Sequence, residues 1–373
     1  MAAEDVLLDV RNLRVSISTE RGTVTVVEDV SLMLAADEVL CIVGESGSGK
    51  SVTMLSVMRL MDERAVSYQG AVEFDGKDLL GRSQREMREI RGAGIAMIFQ
   101  DPMTALNPVY RIGWQLCEQI RAHSKVSRGQ ARVRALELLT AVGIADPDRR
   151  IDNFPHELSG GMRQRVMIAL ALSCRPRILI ADEPTTALDV TVQSQILKLI
   201  AELKSETGMA VVLVTHDMGV VAELADRVQV MYGGRVVEEG TAAEIFNDAR
   251  HPYTWGLLGS IPRLDQPRPD RLPSIAGVPA SAGNIAPGCV FAARCPHRFE
   301  PCGVQPQLLQ LSPTPQLSPK PQLSPAPESG VGHRAACYLV DNPERSTSSR
   351  PVPGGSSPVV PAAEQRIETE DPT

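Results

Sequence analysis

The sequence predicts an α/β fold, a parallel sheet covered on both faces by helices and preceded by an antiparallel strand group. Three observations predict it. Apolar runs of strand length (VLCIV at 39–43, IAMIF at 95–99, residues 177–182 and MAVVLVT at 209–215) alternate with segments of helical apolar spacing, as in a parallel sheet. Residues 6–34 instead alternate apolar and polar side chains (VLLDVRNLRVSIS, then TVTVVEDVSLML), which reads as antiparallel strands. Between the run at 39–43 and the helical stretch SVTMLSVMRLM (51–61) stands GESGSGKS (44–51), which fits G-x-x-x-x-G-K-[ST], a phosphate-binding loop in its required strand–loop–helix context.

In that loop, Gly44, Glu45, Ser46, Gly47, Ser48 and Gly49 offer backbone N–H groups to phosphates, and the helix N-terminus adds partial positive charge. Lys50 is placed to reach the β- and γ-phosphates and Ser51 to ligate Mg²⁺. Gln100 follows the strand at 95–99. Residues 100–175 read as mostly helical, with ARVRALELLTAV (131–142) stopped by Gly143. In LSGGMRQR (158–165), Ser159, Gly160 and Gly161 open a helix whose N–H groups and dipole face an anion. One nucleotide is already cradled by 44–51, so this second anion site points to the nucleotide of a facing subunit. Asp182 and Glu183 end an apolar strand, a costly place for two acids unless a cation or water chain uses them. A helix from about 191 to 207 ends at Gly208, and His216 follows the next strand. Active residues should therefore gather at the C-terminal strand ends.

Composition bounds the function. The 373 residues are 43% hydrophobic, ample for a packed core, and no run of ~18 apolar residues marks a membrane span or signal peptide. A net charge of −7 without basic clusters argues against nucleic acid as a partner. Seven cysteines without a secretory signal point to a reducing compartment. Cys41, Cys117 and Cys174 read as small buried hydrophobes, whereas Cys289, Cys295, Cys302 and Cys337 concentrate near the C-terminus and invite a metal. Their spacing is too wide for the usual zinc knuckle, and a thiolate tetrad suits [4Fe–4S] as well as zinc. Residues 263–287 read as loop, 310–327 as a hexapeptide repeat (QLSPTP, QLSPKP, QLSPAP) unable to pack a core, and 341–373 as a disordered tail.

These motifs, with ILIADEP (178–184), FQDPMTALNPVYRIGWQL (99–116), DEPTTALDVTVQSQIL (182–197), HPYTWGLLGSIP (251–262) and the cysteine-bearing stretch from Gly288, give the chain a resemblance. It resembles the ATP-binding subunit of ABC transporters, more narrowly that of dipeptide and oligopeptide (and nickel) importers, over residues 1–340. The resemblance implies a P-loop NTPase cassette over 1–250, with a RecA-like sheet, an antiparallel β group and a helical subdomain at about 100–175. A small Cys-containing module would follow at 251–340. It makes Asp182 the second magnesium-organising carboxylate beside Ser51 and Gln100, Glu183 the catalytic carboxylate, and His216 the γ-phosphate contact. Asp189 would lie in the loop crossing the dimer interface, and residues 101–114 in the segment that follows nucleotide state. Where the family stacks an aromatic on adenine, Arg21 stands instead; it can stack or simply be a solvated hairpin charge.

The resemblance further implies ATP and Mg²⁺ as ligands and a [4Fe–4S] cluster on the four C-terminal cysteines. That segment lies outside every ATP motif, so Cys302→Ser is expected to leave ATP affinity largely intact. The expected function is ATP hydrolysis powering import of short peptides. The expected partners are a second, distinct cassette subunit, two permease subunits and an extracytoplasmic solute-binding protein, with the chain peripheral at the cytoplasmic face of the membrane. Nickel or another small solute is the alternative cargo. A soluble cassette acting on ribosomes or DNA is a remote alternative, since the chain has one cassette and no sustained heptads. A sensor that has lost catalysis is countered by the set Lys50, Asp182, Glu183 and His216.

Overall fold

Strands β1 (Val6–Thr19) and β2 (Gly22–Ala35) form the long antiparallel ribbon that the alternating pattern predicts. The computed structural model describes residues 6–101, 105–186, 188–261, 274–280, 287–311, 332–342 and 344. Along β1 the buried positions are Leu7, Leu8 and Val10, then Leu13 and Val15, with alternation running Leu8–Val10 and Leu13–Val15. The change of parity falls where the register shifts, at Asn12, whose φ of 49° places it in the left-handed region. Strand β4 (Val66–Phe74) pairs with β1 and β5 (Lys77–Asp78) with β4, completing a four-stranded sheet ordered β2-β1-β4-β5. Its inner face packs with Met54 and Val57 of the helix Lys50–Val57 in one core.

Among the described residues the main sheet has eight strands, in the order β11 (Leu309–Gln310), β12 (Arg334–Ala335), β10 (Arg235–Thr241), β9 (Arg227–Tyr232), β3 (Val39–Val43), β8 (Ala210–Thr215), β7 (Ile178–Asp182) and β6 (Ile95–Ile98). Strands β3, β6, β7, β8 and β9 are mutually parallel, so their C-terminal ends share one edge. Strands buried on both faces read as near-continuous apolar runs, which is why β3, β6, β7 and β8 were legible, whereas β9 is interrupted by Arg227 and Gln229 and was not read. The sheet is mixed, however: β10, β11 and β12 add an antiparallel edge.

Between 100 and 175 the chain forms helices Ile112–His123, Arg128–Ala141, Pro147–Arg150 and Gly160–Leu172. The second begins three residues before the apolar periodicity because Ser127 and Gln130 make a reciprocal capping box, and Gly143 follows it at φ 74°. The helix Lys50–Val57 is shorter than the apolar run suggests, since Arg59 turns left-handed at φ 47°. Helix Val190–Thr207 ends on left-handed Gly208, as expected.

The cysteine-bearing segment does not depend on a core of its own. Val290 and Phe291 are buried in the main core with Tyr232 and Tyr253, so the segment packs onto the main sheet. The first residues of the hexapeptide repeat also depart from expectation. Gln310 ends β11, and Leu311 is buried and donates its N–H to His333 O at 2.8 Å. The rest of the repeat and nearly all of the tail lie outside the described residues. No described helix is long and apolar enough to cross a membrane.

Candidate active site

The loop after β3 is shaped by glycines at φ 152° (Gly44), 80° (Gly47) and 101° (Gly49). A Cβ on Gly44 would collide with the Met231 carbonyl, so that position tolerates only glycine. Gly234 N–H donates to Ser48 O at 3.0 Å, seating the loop on the β9–β10 turn. The helix Lys50–Val57 starts from Gly49 with no side-chain cap, which leaves its first N–H groups for a ligand. Lys50, buried, donates from Nζ to Gly44 O at 2.7 Å and Glu45 O at 3.0 Å. Burial lowers its pKa, and the opposing charges of Glu183, Asp182 and Glu45 counter that shift.

Three neighbouring strand ends complete the cluster. Asp182, the last residue of β7, accepts from Ser51 Oγ at 2.9 Å. Desolvation raises the Asp182 pKa and the adjacent Glu183 charge raises it further, while the Ser51 hydrogen bond opposes both. Glu183 sits at φ 45°, a left-handed conformation that a glutamate adopts only when its surroundings impose it. Its N–H donates to Val214 O at 2.9 Å, and its carboxylate accepts from Gln100 Nε2 and Thr186 Oγ1, each at 2.9 Å. His216 Nδ1 lies 3.4 Å from Glu183 Oε1, with its ring exposed. The sequence-derived residues Lys50, Ser51, Gln100, Asp182, Glu183 and His216 are thus brought to one edge of the sheet.

The remaining candidates form a second group. Ser159 caps the helix Gly160–Leu172 by accepting from Met162 N, and Asp189 caps Val190–Thr207 by accepting from Val192 N at 3.0 Å. Cβ atoms on Gly160 and Gly161 would face Leu188 and Val192, so the two caps are neighbours. Among the described residues no hydrogen bond or ion pair joins Ser159, Gly160, Gly161 or Asp189 to residues 44–51. Arg21 is exposed in the β1–β2 turn, its N–H donating to Thr19 Oγ1 at 3.3 Å. Residues 102–104, in the segment after Gln100, lie outside the described residues.

Four participants were missed in the sequence. Thr186 holds Glu183, and Gln164, buried, donates to Pro184 O and ties the Gly160–Leu172 helix to the same turn. Tyr253 Oη accepts from Glu45 N at 2.7 Å, and Arg294 makes two bonds to the Glu45 carboxylate, at 2.5 and 3.0 Å. Burial would lower the Arg294 pKa, but hydrogen bonds to Glu45 and Tyr232 raise it instead. The string HPY at 251–253 and the Arg–Cys pair at 294–295 were the available signals. The cysteine-bearing segment therefore touches the phosphate loop, contrary to the expectation that it stands apart from the ATP motifs.

Cys289 N–H donates to Cys302 O at 3.0 Å. Burial raises the pKa of Cys289, and pushes those of Cys295 and Cys337 up to about 12, with the neighbouring thiols of the group adding to each shift. The four cysteines share a neighbourhood, yet among the described residues no group of three or more His, Cys, Asp or Glu is arranged to hold a metal ion. The iron–sulfur expectation therefore gains no support from this arrangement. Cys41 is fully buried as expected, while Cys117 and Cys174 are only partly so.

The fold and this edge cluster define an ABC-type ATPase. A family model described as ABC transporter matches residues 27–186, and one described as Oligopeptide/dipeptide transporter, C-terminal region, matches residues 237–302. The chain is 53% identical to the dipeptide transport ATP-binding protein DppD of Bacillus subtilis over 297 residues, 79% of this chain and 88% of that protein. It is 50% identical to the oligopeptide transport ATP-binding protein OppD of the same organism over 77% of this chain and 81% of that one. The dimeric structure of the bacterial ABC transporter cassette MJ0796 superposes with a TM-score of 0.57 at 30% identity, covering 63% of this chain and 99% of that one. A post-hydrolysis state of MJ0796 bound to ADP and Pi superposes equally, at 29% identity. The chain belongs to the family of ABC-transporter ATP-binding proteins of the dipeptide and oligopeptide type.

Proposed function

We propose that this chain is the ATP-hydrolysing subunit of an importer of short peptides. In this reading residues 1–250 are the cassette and 251–340 a C-terminal region docked on it. The chain works peripherally at the cytoplasmic face of the membrane with two permease subunits and an extracytoplasmic solute-binding protein. The carrying observation is the pairing of Ser51 with Asp182 and of Gln100 with Glu183 at one sheet edge, in a chain about half identical to peptide-transport ATP-binding proteins.

The chemistry follows from the residues. Ser51 and Asp182 are hard oxygen donors already in contact, with Gln100 nearby, and they would hold Mg²⁺, which neutralises phosphate charge. Glu183, fixed by Gln100 and Thr186, is the group to orient or deprotonate the attacking water, and His216 faces the same space. Lys50 exchanges its contacts with the loop carbonyls for the nucleotide's phosphates. The second group, Ser159 to Gly161 beside Asp189, would cap the nucleotide of a facing, related cassette subunit. A groove of ~860 Å³, lined by Met97, Phe99, Met167 and Leu170 together with charged Arg85, Arg88, Glu89 and Arg91, reaches the residue before Gln100 and suits an amphipathic helix of a permease.

The test is reconstitution with the two permeases and binding protein in liposomes. Short peptides should stimulate ATP hydrolysis and accumulate inside; stimulation by Ni²⁺ and not by peptide would support the nickel reading instead. An iron–sulfur cluster on Cys289, Cys295, Cys302 and Cys337 stays within the proposal only through the shared surroundings of these thiols. Iron and sulfide analysis after anaerobic purification decides it, and metal-free protein with four alkylatable thiols ends it.

A further inference from the structure

A carboxylate inside a loop that receives a polyanion needs explaining. Glu45 would repel the phosphates if its charge were free, yet its side chain is held at both oxygens by Arg294, from 249 residues away. Arg294 is committed to this contact. Its side chain is 3% exposed, and its remaining donors go to Ala276 O at 2.8 Å, Ile275 O at 2.9 Å and Tyr232 Oη at 3.4 Å. All five guanidinium N–H donors therefore have partners. The guanidinium also lies 5.7 Å from the Tyr232 ring centroid. The same stretch of phosphate loop is fixed from the backbone side by Tyr253, fully buried, which accepts the Glu45 N–H.

We propose that Arg294 is a positioning residue for nucleotide binding: it neutralises Glu45 and aims it away from the phosphates. The anion-binding shape of residues 44–51 then depends on the folded turn that carries Arg294 between Cys289 and Cys295. The proposal rests on the ATPase reading of the site. It makes nucleotide affinity a readout of whether the cysteine-bearing segment is in place. Loosening that segment, by Cys302→Ser for example, weakens ATP binding rather than sparing it.

The experiment is equilibrium binding of MgATP to the full chain and to R294A, E45Q and the double variant, with steady-state kinetics alongside. R294A leaves an unpaired carboxylate beside the phosphates and should weaken binding roughly tenfold, raising KM more than it lowers kcat. Adding E45Q should restore most of that loss, because the repelling charge is gone. A residue that merely braces the loop at 275–276 would not be rescued in this way. R294K, which keeps the charge but loses the fork, should fall between and serves if R294A is too unstable to purify. Affinity of R294A within about twofold of wild type, or an equal loss with and without E45Q, overturns the proposal while leaving the ATPase reading intact. Failure of the wild-type chain to bind MgATP overturns both.

Discussion

The Gln100 amide donates to Glu183 Oε2 at 2.9 Å, joining the second residue after β6 to the first after β7. Gln100 thereby ties Glu183 to a segment whose Phe99 lines the groove. Gln100→Ala should lower kcat roughly tenfold or more, because the bond to Glu183 is lost, and should also raise the Mg²⁺ concentration required, because Gln100 is placed beside the proposed ion site. Phosphate-release kinetics with a parallel Mg²⁺ titration check this.

Asp182→Asn should raise the Mg²⁺ concentration needed for half-maximal ATPase activity at least about tenfold, since the amide offers a weaker, uncharged oxygen to a hard cation. A Mg²⁺ titration at fixed ATP reads the effect. Ser51→Ala should act in the same direction, having removed the hydroxyl that contacts Asp182.

His251 gives a pH dependence with a defined sign. Burial lowers its pKa to about 4, though nearby Glu238 pulls the other way, and its Nδ1 accepts the Tyr253 N–H and so must be unprotonated. The folded pKa lies below the usual value of about 6.5, so the unfolded chain takes up a proton first as pH falls. This contribution is complete above the unfolded value and is lost as pH drops from there toward the folded one. It amounts to about 2 kcal/mol between about pH 7 and about pH 5. His251→Asn, which can still cap the helix Pro252–Gly259, should show correspondingly less destabilisation over that range in urea titrations.

Much of this was legible because it is local. The phosphate loop, the acids at 182–183 and His216 each sit beside a strand whose apolar run marks its own end, and parallel pairing then forces those ends to one edge. The starts of helix Gln84–Ile90, capped by Ser83, and of helix Arg128–Ala141, capped by Ser127, were written as capping boxes and could have been read. The grip of Tyr253 and Arg294 on Glu45 was not readable, since it pairs residues 208 and 249 positions apart with no periodicity between them. The two outer strands of the antiparallel edge escaped for a different reason: β11 and β12 are two residues each, too short to show alternation.

The most direct test of the central claim is Glu183→Gln, with ATP binding and phosphate release measured on the same preparation. The amide keeps the size of the side chain but cannot take a proton from water, so the account expects MgATP binding near the wild-type level and turnover reduced by about a hundredfold or more. Phosphate release within about twofold of wild type would contradict it and remove Glu183 from the chemistry.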